Sequence, residues 1–109
     1  MRTLRFIVEN QLIRLDPSCD FSGLVPGSKG YLRAEFSFSS EWAGCAKIAS
    51  FYSVLGREIG YQVLTDGKTC MIPSEALLKQ TFKIRVLGTN GNIVLTTNKV
   101  VVNQNGGKA

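Results

Sequence analysis

The sequence predicts an all-β chain folded as a two-sheet β-sandwich, with immunoglobulin-like or jelly-roll-like connections and one short helical turn near residues 73–79. Three observations predict it. Extended segments alternate apolar and polar residues with a period of two, which gives each strand one dry face and one wet face. Turn-forming glycine, asparagine, aspartate and proline punctuate those segments at short intervals. The 109 residues are 44% apolar and 19% charged, enough for one modest core and too few for two. A partly open barrel is the alternative closure.

Leu4, Phe6 and Val8 alternate with Thr3, Arg5, Ile7 and Glu9 as a first strand. Residues 11–15 continue after Asn10 as a bend or a second short strand. Asp16-Pro17-Ser18 is turn chemistry, and residues 20–30, with Gly23, Pro26, Gly27 and Gly30, are expected to be mostly loop. The cleanest alternation follows at residues 31–39: Leu32, Ala34, Phe36 and Phe38 point one way, Arg33, Glu35, Ser37 and Ser39 the other. Residues 39–44 connect strands, with Ser-Glu-Trp able to start a helical turn. In the next strand, residues 47–55, Ala49, Phe51 and Leu55 are expected to face in, against Ile48, Ser50, Tyr52 and Val54. Both of its faces carry apolar groups. That places it centrally, with one face meeting a partner or a covering loop.

Asp66-Gly67 between residues 61–64 and 70–72 predicts a β-hairpin. Pro73 and the helix formers after it predict one or two helical turns, with Leu77 or Leu78 plugging the end of the core. Phe82, Ile84 and Val86 then alternate with Lys83, Arg85 and Leu87. A turn at residues 88–92 returns the chain through 93–97, and after Asn98 the strand resumes over 99–102. Residues 1–102 form the expected domain; the polar, glycine-rich residues 103–109 read as a frayed tail or linker.

Composition narrows the chemistry. The chain has no histidine, which removes the usual neutral-pH base and the commonest metal ligand. Cys19, Cys45 and Cys70 are odd in number and form no Cys-x-x-Cys pair. They read as reduced thiols, at least one in the core, with one internal disulfide plus a spare thiol as the alternative. No cofactor and no metal are expected. Gly27-Ser28-Lys29-Gly30 lacks the spacing of a phosphate loop and precedes a strand. The carboxylates near Cys19 and in the loops read as turn caps and solvated charges, so no enzyme is expected. The apolar run at the N-terminus stops at Glu9, too early for a signal peptide, and no segment is long enough to span a bilayer. The net charge of +5 fits a soluble surface with a basic excess or an anionic partner, but the basic residues are dispersed.

Large aromatics beside cations are the remaining candidates for contact: Trp42, Tyr31, Tyr52 and Tyr61, with Lys47 and Arg33. Trp42 either caps the core or lies on the contact surface. Exposed rings on a basic sheet could stack the bases of a single-stranded nucleic acid. A protein interface asks for less and ranks above it.

The order Phe36-Ser37-Phe38-Ser39-Ser40-Glu41-Trp42, then Lys47 and Phe51, then Asp66-Gly67-Lys68-Thr69-Cys70-Met71-Ile72-Pro73-Ser74-Glu75-Ala76-Leu77, then Phe82-Lys83-Ile84-Arg85-Val86-Leu87-Gly88, and Ile93-Val94-Leu95-Thr96-Thr97-Asn98 resembles small β-sandwich modules of tailed bacteriophages and prophages of Gram-positive hosts. Such modules occur near the start of minor structural, baseplate or fibre proteins, and the resemblance covers about residues 4–102. It implies a non-enzymatic virion module that acts through protein contacts, in a homo-oligomer or with other virion proteins. The virion or the host cytoplasm is then its expected location. Trp42, Ile72, Pro73, Leu77 and Phe82 match as scaffold positions. With no fibre or carbohydrate-binding domain after Ala109, the chain reads as an excised N-terminal part or a stand-alone adaptor. The alternative is a small phage effector that binds and inhibits a host protein.

Overall fold

The alternating segments pair into two packed sheets, and the chain is a β-sandwich. The computed structural model describes residues 1–106. In chain order the elements are β1 (Arg2–Glu9), β2 (Leu12–Leu15), β3 (Leu32–Phe38), a 3₁₀ turn (Ser40–Trp42), β4 (Ala46–Ser53), β5 (Glu58–Val63), β6 (Thr69–Met71), α1 (Ser74–Leu77), β7 (Thr81–Asn90), β8 (Ile93–Thr96) and β9 (Val100–Asn103). The first sheet has the order β2-β1-β3-β6. The second has the order β5-β4-β7-β8, with β9 also paired to β7.

The buried residues are those the alternation selects. Leu4, Phe6 and Val8 of β1 and Leu32, Ala34 and Phe36 of β3 meet Ala49 and Phe51 of β4 and Phe82, Ile84 and Val86 of β7. Phe6 stacks on Phe36 with ring centroids 5.3 Å apart, and Phe51 lies 6.4 Å from Phe82 across β4 and β7. β1 and β3 run parallel, so the chain must return from the end of β2 to the Arg2 end of the sandwich before β3 starts. Residues 16–30 make that return. The Arg2 guanidinium holds them by donating to the carbonyls of Asp20 (2.8 Å) and Ser22 (2.7 Å), and Leu24 is buried in the core.

Asn98 explains why the last strand is interrupted. β7 has two residues between Ile84 and Leu87, while the returning chain has three between Thr96 and Val100, so one extra residue bulges out. The Asn98 amide then reaches β2 at the edge of the other sheet. Its Oδ1 accepts from the Ile13 N–H (2.8 Å) and its Nδ2 donates to the Ile13 carbonyl (3.2 Å). One seam of the sandwich is thereby closed, and an edge strand that could pair with another chain is occupied at that position.

Three expectations are corrected. Asp66-Gly67 does not turn a hairpin: β5 pairs with β4 and β6 with β3, so this loop crosses between the sheets. The Thr69 hydroxyl and the N–H groups of Lys68 and Thr69 all donate to the Asp66 carboxylate. Those bonds hold Asp66 down to about 2, below the usual carboxylate range, and tie down the crossover loop. Leu55 does not face the core; it sits at the tip of the β4–β5 turn and is 93% exposed, because the strand ends at Ser53. Residues 103 and 104, expected to begin a tail, belong to the folded sandwich. Asn103 pairs with Thr81 in β9, and Gln104 is fully buried. The rest of that expectation, residues 107–109, lies outside the described residues.

The helical turn forms as expected at Ser74–Leu77. Leu77 plugs the core and Leu78 faces solvent. Cys19, Cys45 and Cys70 are free thiols. Burial, with Asp66 nearby, pushes the Cys70 thiol up to about 12. Cys70 therefore stays protonated at neutral pH and behaves as a small apolar residue. Iodoacetamide at pH 8 is expected to modify Cys19 and Cys45, which are part-exposed, while sparing Cys70 until the chain unfolds. Peptide mass spectrometry checks this, and equal labelling of Cys70 in the folded chain would contradict it.

Candidate interaction surface

The two outer faces of the sandwich differ in kind. On the first sheet four of the charges are paired. Arg5 and Glu35, opposite each other in register, form an ion pair at 3.3 Å, and Arg14 meets Glu9 at 2.6 Å. Arg33 donates to the Thr3 hydroxyl at 3.1 Å. These are the two ion pairs among the described residues. Such a face is satisfied in water, although exposed pairs of this kind stabilise little.

The second sheet faces outward with apolar residues in neighbouring register. Val63 of β5 lies opposite Ile48 of β4, and Ile48 lies opposite Leu87 of β7. Tyr61, 60% exposed, and Val94 of β8, 65% exposed, extend the same surface. Further along the strands come Arg85, then Lys83 beside Val101 of β9. Tyr52 lies among these cations. Arg85 donates to its hydroxyl at 2.8 Å, and the Lys99 ammonium sits 4.2 Å from its ring centroid. The aromatic face and the cations attract each other, and the stems of Arg85 and Lys99 cover the ring. Arg85 Nε is buried and has no acceptor among the described residues.

The six candidate contact residues do not converge. Tyr61 and Tyr52 are both on the second sheet, but Tyr52 is only 4% exposed beneath its cations. Tyr31 is half-exposed at the end of the sandwich, where its carbonyl accepts from the Arg2 N–H. Arg33 projects from the opposite sheet. Trp42 is fully buried, which leaves the core-cap reading and removes it from any contact surface. Its indole N–H donates to the Asn10 carbonyl at 2.7 Å, and its ring packs on Phe38 at 5.3 Å. Lys47 is also used internally: its ammonium lies 5.1 Å from the centroid of Phe38 and donates to the Cys45 carbonyl.

Sequence reading missed Ile48, Val63, Leu87 and Val94 as a group. Its one signal was the strand with apolar residues on both faces. The rest needed the register, since Leu87 and Val94 sit at wet-face positions of strands whose partners were unknown.

A groove of about 650 Å³ opens at the end of the sandwich between the β4–β5 turn and the segment entering β7. Val54, Leu55, Arg57, Ile59, Lys79 and Thr81 line it, with no carboxylate among its lining residues. Among the described residues no three histidine, cysteine, aspartate or glutamate side chains gather where they could hold a metal ion. No helix among them is long and apolar enough to cross a membrane. Comparisons with protein-family models, curated proteins and solved structures find no match to this chain.

Proposed function

We propose that this chain is a non-enzymatic structural or attachment module of a tailed-phage virion that acts through protein–protein contacts. The observation that carries this reading is the contrast between the two outer faces. One sheet presents paired charges to water. The other presents Ile48, Tyr61, Val63 and Val94 beside cations that have no ion-pair partner among the described residues. An apolar sheet face rimmed by polar groups is the usual character of a protein contact surface. The resemblance of residues 36–42, 66–77, 82–88 and 93–98 to phage β-sandwich modules supplies the virion setting.

The test is recovery in particles. A tagged copy expressed during phage growth is expected to band with intact particles in a density gradient, at a fixed ratio to the major tail or head protein. A chain that stays with the soluble proteins at the top of the gradient would overturn the reading.

A further inference from the structure

We infer that β5 takes up an extended segment of a partner protein as an added edge strand, apolar at alternate positions and acidic at the end that reaches Arg57. This rests on the contact-module reading above and names the form of the partner and the backbone groups that hold it. Register and one hydrogen bond carry it. The Leu64 N–H donates to the Lys47 carbonyl at 3.0 Å, one residue beyond the pairing of Val63 with Ile48. Opposed antiparallel residues alternate between bonded and non-bonded pairs. Gln62 with Ala49 and Gly60 with Phe51 are then bonded pairs, and Tyr61 and Val63 turn their N–H and C=O groups away from β4. β5 ends the sheet, and among the described residues neither Tyr61 nor Val63 has another backbone partner.

On each of the other edges one position is taken. Asn98 occupies Ile13 of β2, the Gln11 side chain donates to the Thr96 carbonyl of β8, and Asp66 accepts from the Thr69 N–H of β6. Approach to β5 is open. Tyr61 and Val63 are exposed, and the start of α1 packs on the core side of the strand. Gly60 lies opposite the buried Phe51, so a Cβ added there points inward, where it meets Pro73 at 3.3 Å. An open edge of this kind is a template for another strand.

The edge and its surroundings select the occupant. Donors and acceptors that recur about 6.8 Å apart match the main chain of an extended polypeptide. Beside Tyr61 and Val63, β-branched and aromatic side chains make the favourable cross-strand pairs. The groove starts where β5 starts: Arg57 and Ile59 line it together with Lys79, and no carboxylate is among its lining residues. Glu58 lies opposite Tyr52 and is not one of them. An acidic side chain at that end of the added strand meets two cations that have no ion-pair partner among the described residues. A second copy of this chain fits less well. Antiparallel pairing of two β5 strands about Gln62 would bring Asp66 to that end, and its carboxylate is already taken by Lys68 and Thr69.

Hydrogen exchange read at single amides tests this, with the full chain in purified particles compared with the dilute free chain. The Tyr61 and Val63 amides are expected to exchange at least ~10-fold more slowly in particles. Val63→Pro removes an N–H that makes no bond to β4. Its urea midpoint is expected to hold, while its recovery in particles falls at least ~10-fold. Val63→Thr, which keeps the N–H, is expected to be recovered like the parent. Arg57→Glu combined with Lys79→Glu is expected to lower recovery. Tyr61 and Val63 amides that stay unprotected in particles containing the chain would overturn the strand addition and leave the attachment reading standing. Parental recovery of Val63→Pro or of the double variant would also overturn it. A chain absent from particles would overturn both. Protection that rises with concentration in the free chain alone would assign the edge to a second copy, against the proposal.

Discussion

Trp42→Ala is expected to lower the unfolding free energy by about 3–5 kcal/mol, the usual cost of removing a large buried aromatic. The indole closes one end of the sandwich. It joins the 3₁₀ turn to Phe38 of β3, to the carbonyl of Asn10 at the β1–β2 turn and to Gly88 of β7. A Cβ added at Gly88 would lie 2.8 Å from the Trp42 ring, closer than real contacts allow, and a tight 3.3 Å from Cys45 Cβ. Gly88 is thus small because Trp42 lies across it. Gly88→Ala is expected to cost about 1–3 kcal/mol through overpacking. The double variant is expected to lose less than the sum, since alanine at 88 no longer meets a ring. Urea unfolding of the four proteins checks the cycle, and strict additivity would contradict the contact.

Gln104→Ala is expected to destabilise the chain by about 1–3 kcal/mol, by removing two side-chain hydrogen bonds and emptying a fully buried site. Gln104 follows the last strand, in a segment whose composition reads as tail. Its side chain is nevertheless fully buried. Nε2 donates to the carbonyls of Leu77 (3.1 Å) and Lys79 (2.9 Å), and its backbone N–H donates to Gln80 (2.6 Å). Those carbonyls follow from the end of α1, where the helix has no further residues to satisfy them. Leu77 keeps a second donor, the Gly27 N–H at 2.7 Å, so the loss falls mainly on Lys79. Asn105→Ala, at an exposed neighbour, is expected to stay within about 0.5 kcal/mol of the parent in the same urea titration. Equal midpoints for both variants would contradict the assigned role.

The layered fold was legible wherever one face of a strand is dry. In β1, β3 and β7 the period of two named the buried residues correctly, because burial on one side imposes that period. What failed was decided by partners distant in sequence. Asp66-Gly67 has hairpin composition, yet its flanking strands find partners in different sheets, and no local pattern records that. Leu55 continues an inward alternation, but the turn begins before it. Gln104 is polar and follows a strand, and only the position of α1 shows why it is buried. For the interaction surface, the apolar outer face of β4 was visible, whereas its continuation through Val63, Leu87 and Val94 required the register. Large aromatics drew notice for their size. Trp42 and Tyr52 use that size against their own chain, and Tyr61 alone of that pair's neighbours remains available on the second sheet.

The most direct measurement is hydroxyl-radical footprinting of the chain in purified particles, compared with the free chain at a dilution where it is monomeric. Tyr61, Val63 and Val94 are expected to lose labelling in the particle, while Leu12 on the opposite sheet keeps it. Labelling of Tyr61 and Val94 that is the same in both states would contradict the proposal that the chain acts through the outer face of its second sheet.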